Sequence, residues 1–146
     1  MEEEILSSSG LVDPQNKLVL IVDDDSSLLD LLERVIKKEG FRVARAVDGQ
    51  EASRKARELR PDFVVLDFML PGLGGFEVLR ELQTGESSRV PVLVITGRHM
   101  DRQTIELVRH EPNVRDFMEK PIRPVLLAAT LHRLLQTRPP ETPRSS

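Results

Sequence analysis

Residues 17–25 read KLVLIVDDD, an apolar run closed by three carboxylates. When every side chain of a run is apolar, rather than every second one, the strand is buried on both faces, which is the setting of a parallel sheet covered by helices. The cadence returns along the chain. FVVL precedes Asp67, VLVI precedes Thr96, and a shorter run from Arg115 to Met118 leads to Lys120 and Pro121. Parallel packing carries Asp23, Asp24, Asp67, Thr96 and Lys120 to one rim, the carboxyl ends of the strands, where ligands of open α/β sheets sit.

Helical patterns separate these strands. After an Asp/Ser cluster, Leu28, Leu31, Leu32, Val35 and Ile36 fall at i, i+3, i+4, i+7 and i+8, and Gly40 supplies a left-handed stop. Phe41 to Ala46 alternates as an outer strand does, Asp48-Gly49 turns the chain, and Ala52, Ala56 and Leu59 mark a second helix. Phe63 to Leu66 is the third strand, Phe68 to Gly75 a loop rich in glycine, and Val78, Leu79 and Leu82 a third helix. Pro91 to Ile95 is the fourth strand. From Asp101 to His110 only Ile105, Leu107 and Val108 are large aliphatics, which predicts a fourth helix held less firmly than the others. Leu127, Leu131, Leu134 and Leu135 define the last helix. The class is therefore α/β, a doubly wound five-stranded parallel sheet with helices on both faces.

Composition places limits on what such a domain does. At 146 residues the chain is one domain, predicted to span 17–136 between a flexible N-terminal extension, 1–16, and a flexible Pro/Ser-rich tail, 137–146. The aromatics are five phenylalanines with no Tyr or Trp, so no base-stacking surface is expected. A formal charge of −3 gives no general field for phosphate backbones, and direct nucleic-acid contact is not expected. Cysteine is absent, which excludes disulfides and thiolate chemistry. The acidic start, MEEEILSSSG, is unlike a secretory signal, and no apolar stretch approaches the roughly 20 residues that span a bilayer. A soluble, cytoplasmic protein without membrane contact is expected.

Three clustered carboxylates repel, and such a cluster persists where a cation or a raised pKa relieves it. All-oxygen ligation predicts Mg²⁺. With an ammonium from Lys120 beside it, this set suits phosphoryl transfer to a carboxylate, and Asp67, at the centre of the sheet, is the candidate nucleophile. Thr96 would donate to the new phosphoryl oxygens. The competing reading makes Asp24, Asp25 and Ser26 simply a cap on the first helix. His99, His110 and His132 lack metal spacing and read as ordinary surface or helix-end residues, and Arg98 as an exposed side chain that influences how water reaches the phosphoryl group.

LIVDDD at 20–25, VVLDFMLPG at 64–72, VLVITG at 92–97 and DFMEKPI at 116–122 resemble the signature segments of response-regulator receiver domains of two-component signalling. The resemblance implies a flavodoxin-like fold of strand order 2-1-3-4-5. It also implies that Asp23 and Asp24 hold Mg²⁺ with the Met69 backbone carbonyl, and that Asp67 accepts phosphate from a sensor histidine kinase or a histidine phosphotransfer protein. Thr96 would be the switch hydroxyl, Phe117 the switch aromatic, and Lys120 the phosphate-pairing ammonium before a cis Pro121. The output would be protein binding at the face of helix four, strand five and helix five. Gly97, Gly74 and Asn113-Val114 depart from the usual pattern, but no acid, threonine or lysine is lost.

With no room for an output module after residue 136, a stand-alone receiver is expected, or a piece of a larger regulator or hybrid kinase. A pseudo-receiver that never takes phosphate stays open. So does a metal-dependent phosphatase using Asp23, since residues 23–25 contain an Asp-x-Asp spacing.

Overall fold

The computed structural model describes residues 10–69, 74–85, 89–97 and 100–141. Its strands are β1 (Leu18–Val22), β2 (Arg42–Ala46), β3 (Phe63–Asp67), β4 (Val92–Thr96) and β5 (Val114–Glu119). The helices are α1 (Ser26–Lys38), α2 (Gly49–Leu59), α3 (Gly75–Leu82), α4 (Arg102–Arg109) and α5 (Pro124–Leu135). All neighbouring strands pair in parallel, in the order β2-β1-β3-β4-β5. Both the expected fold class and the expected order are observed.

Alternation along the strands divides the interior into two layers. Val19, Ile21, Phe63, Val65, Leu93 and Ile95 point to the side covered by α1 and α5, where Leu29, Leu32, Ile36, Leu127 and Leu131 meet them. Leu20, Val22, Val64, Leu66, Val92 and Val94 point to the other side, covered by Ala52, Ala56, Val78, Leu79, Leu82 and Val108. Every residue of β3 is buried, as a central strand between two helical layers requires. Burying one Leu, Ile or Phe side chain in such layers contributes about 1.5–3 kcal/mol.

Short polar side chains set the helix starts. Asp25 accepts from the amides of Ser27 and Leu28 to begin α1, Asp48 from Glu51 to begin α2, and Asp101 from Thr104 to begin α4. The N-terminal turn of α3 is closed differently, with the Glu77 carboxylate accepting from the Gly74 amide.

Several expectations need correction. The buried stripe of α1 is Leu29, Leu32 and Ile36, because Asp25 fixes the helix phase so that Leu28 and Val35 flank the contact. Leu59 is exposed, since α2 ends there and Arg60 adopts a left-handed conformation that leads the chain away. His132 is buried, not a surface residue: its Nε2 lies 2.9 Å from Glu39 Oε1, its Nδ1 lies 2.7 Å from Thr137 Oγ1, and its ring packs on Phe41. The Glu39 carboxylate can only accept, so Nε2 carries a proton.

Composition alone suggested flexibility over 1–16 and 137–146, of which 1–9 and 142–146 lie outside the described residues. Within the described part Pro14–Asn16 forms a short 3-10 turn, and Val12 bridges Thr137, its amide donating to Gln136 O and its carbonyl accepting from Arg138. The helix expected to be weakly held buries only Val108, and Leu107 stands 61% exposed. Beside it, the register of β4 against β5 slips so that Val92 faces Val114 while Leu93 faces Asp116, leaving Arg115 as an extra residue. Asn113 has no left-handed backbone; it is buried and its Oδ1 accepts from Gln83 Nε2. Among the described residues no helix is long and apolar enough to cross a membrane.

Candidate functional site

The rim formed by the ends of β1, β3, β4 and β5 holds the carboxylates, the threonine and the lysine. Asp23 immediately follows β1 and is 1% exposed. Its amide donates to Ala46 O and its Oδ1 accepts the Asp25 amide at 2.9 Å, so both backbone and side chain are fixed. Asp67 ends β3, and its Oδ1 accepts the Met69 amide at 3.0 Å. Lys120, just past β5, donates to Asp67 Oδ2 at 3.3 Å and lies 3.6 Å from Asp23 Oδ2. The Lys120 amide in turn donates to Thr96 O, and the Lys120–Pro121 bond is cis.

Asp24 is exposed, yet one carboxylate oxygen from each of Asp23, Asp24 and Asp67 falls within 4.8 Å of the others. Asp25 serves as the α1 cap, as the capping reading expected of it, and the side-chain cap bonds come from Asp25 and not from Asp24. Burial, together with the Asp67 and Asp24 charges and against the Asp25 amide and Lys120, pushes the Asp23 carboxyl up to about 6. For Lys120, burial acts to lower the pKa, but the attraction of Asp67 and Asp23 outweighs it and the ammonium is held above its usual range.

Asp23 Oδ2 is buried and makes no hydrogen bond among the described residues. A buried carboxylate oxygen with no hydrogen bond, the Lys120 ammonium standing 3.6 Å away, and with two more carboxylates beside it, matches the needs of a hard divalent cation, and the donor set fits Mg²⁺.

Thr96 is buried at the end of β4, on the same sheet face as Val94, which is paired across the sheet with Phe117. Thr96 and Phe117 therefore share a face, one alternation apart on adjacent strands. Phe117 is half-buried, and the Arg109 guanidinium of α4 lies 5.1 Å from its ring centroid. Met69 is 64% exposed and touches the cluster through its amide. Leu70 to Leu73, Arg98 and His99 lie outside the described residues.

One contact was not legible in the sequence. A Cβ added at Gly75 would stand 2.4 Å from Phe68 Cδ1 and 2.6 Å from Phe68 O. The start of α3 is thus pressed against the backbone that follows Asp67. The glycine-rich loop signalled a turn but not which backbone it approaches.

The model of the response regulator receiver domain family matches residues 19–132. The chain belongs to this family. It is 38% identical over 126 residues to the DNA-binding response regulator MtrA of Mycobacterium bovis, a match covering 86% of this chain and 53% of that protein. The chain spans about half the length of the curated relatives it matches.

Among solved structures it is similar to the Vibrio cholerae chemotaxis protein CheY4 (TM-score 0.74, 27% identity, 82% of this chain and 98% of that one). It is also similar to the receiver domain of the sensor histidine kinase PA1611 of Pseudomonas aeruginosa PAO1, described with a magnesium ion coordinated in its active site cleft (TM-score 0.72, 27% identity, 82% and 97% covered). Receiver domains act in two-component systems as phosphoacceptor switches rather than classical enzymes.

Proposed function

We propose that this chain takes a phosphoryl group on Asp67 from a phosphohistidine of a sensor histidine kinase or histidine phosphotransfer protein, in the cytoplasm, and switches a protein-binding face. The observation that carries the reading is the Lys120 ammonium, which reaches both Asp67 Oδ2 at 3.3 Å and Asp23 Oδ2 at 3.6 Å. In the transfer, a carboxylate oxygen of Asp67 forms a bond to phosphorus as the phosphorus–nitrogen bond of the donor breaks. The freed imidazole keeps the electron pair and takes up a proton.

Asp23, Asp24, Asp67 and the Met69 carbonyl would hold Mg²⁺, which supplies charge neutralisation to the transferring group. Lys120 neutralises a further phosphoryl oxygen. Asp67 is 3% exposed, so the donor enters along the side bordered by exposed Asp24 and half-exposed Lys120. Hydrolysis of the acyl phosphate by water returns the free carboxylate.

The Thr96 hydroxyl then turns toward the phosphoryl oxygens, and the space it leaves on the shared face admits Phe117. Because α4 buries only Val108, the face of α4, β5 and α5 has little to hold it in one arrangement. Phosphorylation biases two arrangements of that face by its differential contacts with them. The relatives named as DNA-binding are about twice as long as the matched span. We assign such contact to the part outside it, since this chain has a formal charge of −3 and no Tyr or Trp.

Incubation with Mg²⁺ and acetyl phosphate followed by intact mass tests the assignment. The wild type should gain one phosphate and Asp67→Asn none. A phosphoenzyme that persists in Asp67→Asn would favour Asp23 as nucleophile and the phosphatase reading. A wild type that gains no phosphate would favour a pseudo-receiver.

A further inference from the structure

Most of α4 is weakly attached, yet its last residue makes a specific contact with the body of the domain. Arg109 places its guanidinium 5.1 Å from the centroid of the half-buried Phe117 ring. The arginine is 58% exposed, and the same side chain pairs with the equally exposed Glu106 one turn earlier at 3.7 Å. Val108, the one buried residue of α4, lies next to it in sequence and joins the same core layer that Phe117 packs against. The attachment of α4 to β5 thus combines one aliphatic anchor with one cation–ring stack.

We propose that Arg109 is a positioning residue for the switch: stacked on Phe117, it holds the ring in its present half-buried orientation and ties α4 to the resting arrangement. The proposal rests on the reading of Phe117 as the switch aromatic. A cation over a ring face is attracted by the ring quadrupole, and moving the ring inward toward the place left by Thr96 takes it out from under the guanidinium. Any event that favours the inward ring must first give up this contact. An exposed stack of this kind corresponds to about a two- to five-fold bias between the two ring positions. By linkage the same factor appears in the affinity for a phosphoryl mimic at Asp67.

The chain has five phenylalanines and no Tyr or Trp, so ring spectra of protein carrying carbon-13 phenylalanine are sparse enough to follow Phe117 directly. Arg109→Gln should shift the Phe117 ring toward its inward position without any ligand and raise the affinity for beryllofluoride with Mg²⁺ by about two- to five-fold. Arg109→Lys should restore part of the bias. Glu106→Gln, which removes the ion pair but not the guanidinium, should leave the ring where it is. In a Phe117→Leu background, Arg109→Gln should no longer change beryllofluoride affinity.

An unchanged Phe117 spectrum in Arg109→Gln overturns the proposal. An equal response in Glu106→Gln also overturns it, by assigning the effect to the ion pair. A wild type that binds no beryllofluoride would instead refute the phosphoacceptor reading, and the ring spectra would still decide the role of Arg109.

Discussion

Replacing Asp23 with asparagine should make the magnesium-free domain more stable. In the folded protein this carboxyl is raised from 3.8 to about 6, burial being the main cause. The folded state therefore keeps the proton longer than the unfolded chain does. Stability linked to this group is fully present below pH 3.8 and is lost as pH rises through about 6. At about 1.4 kcal/mol per pH unit, holding Asp23 ionised at neutral pH costs the fold about 3 kcal/mol.

Asparagine keeps an oxygen for the Asp25 amide but turns an NH₂ toward Lys120, where Asp23 Oδ2 now lies 3.6 Å from the ammonium. That reversal offsets about 1 kcal/mol, leaving a net gain of about 2 kcal/mol and, for a domain of this size, a Tm higher by about 8 °C. Urea unfolding followed by circular dichroism in EDTA, at pH values from about 4 to about 7.5, measures it across the window in which the linkage operates. The advantage should fade toward the acid end, where Asp23 is neutral in the wild type as well. Saturating Mg²⁺ should restore the wild type by about 2.7 kcal/mol at one hundred times Kd, with little effect on the variant. An asparagine variant no more stable than wild type near pH 7.5 without divalent ions, or an advantage unchanged down to pH 4, would refute the reasoning.

Three other substitutions probe separate parts of the structure. Gly75→Ala drives a Cβ to 2.4 Å from Phe68 Cδ1 and 2.6 Å from its carbonyl oxygen, so a loss of about 2 kcal/mol in urea unfolding and slower phosphate uptake at Asp67 are expected. His132→Ala removes the contacts to Glu39 and Thr137 and the packing on Phe41, which should cost about 2–4 kcal/mol and speed amide exchange at residues 136–138. Lys120→Gln deletes a charge that lowers the Asp23 pKa. The Asp23 carboxyl should then titrate above about 6, and the pH midpoint of Mg²⁺ uptake should move up with it, both measurable by carbon-13 NMR of the side-chain carboxyls.

The fold was legible because the sheet is buried on both faces. LVLIV, FVVL and VLVI carry no polar interruption, and each ends on a residue of the rim, so strand ends and site were marked by the same transition. The pairing of Asp23, Asp24, Asp67 and Lys120 followed from parallel order alone, and the structure brings their side chains together. What the sequence hid was decided by packing between distant segments. Leu29 replaces Leu28 in the buried stripe of α1 because the Asp25 cap sets the helix phase. His132 looked like a residue of a helix end, and nothing near it in sequence announces Glu39 or Phe41. The stack of Arg109 on Phe117 joins the end of α4 to the middle of β5, and no local pattern encodes it.

The backbone bridge between Val12 and Thr137 has a consequence for how the two segments it links are held. It joins the segment entering the sheet to the segment leaving α5 at a single corner, with Arg138 3.9 Å from Asp13 across the joint. Backbone hydrogen bonds on both sides of that bridge hold the two segments to each other. Cutting the bridge should free the two segments from each other while leaving the carboxylate rim, at the opposite strand ends, intact.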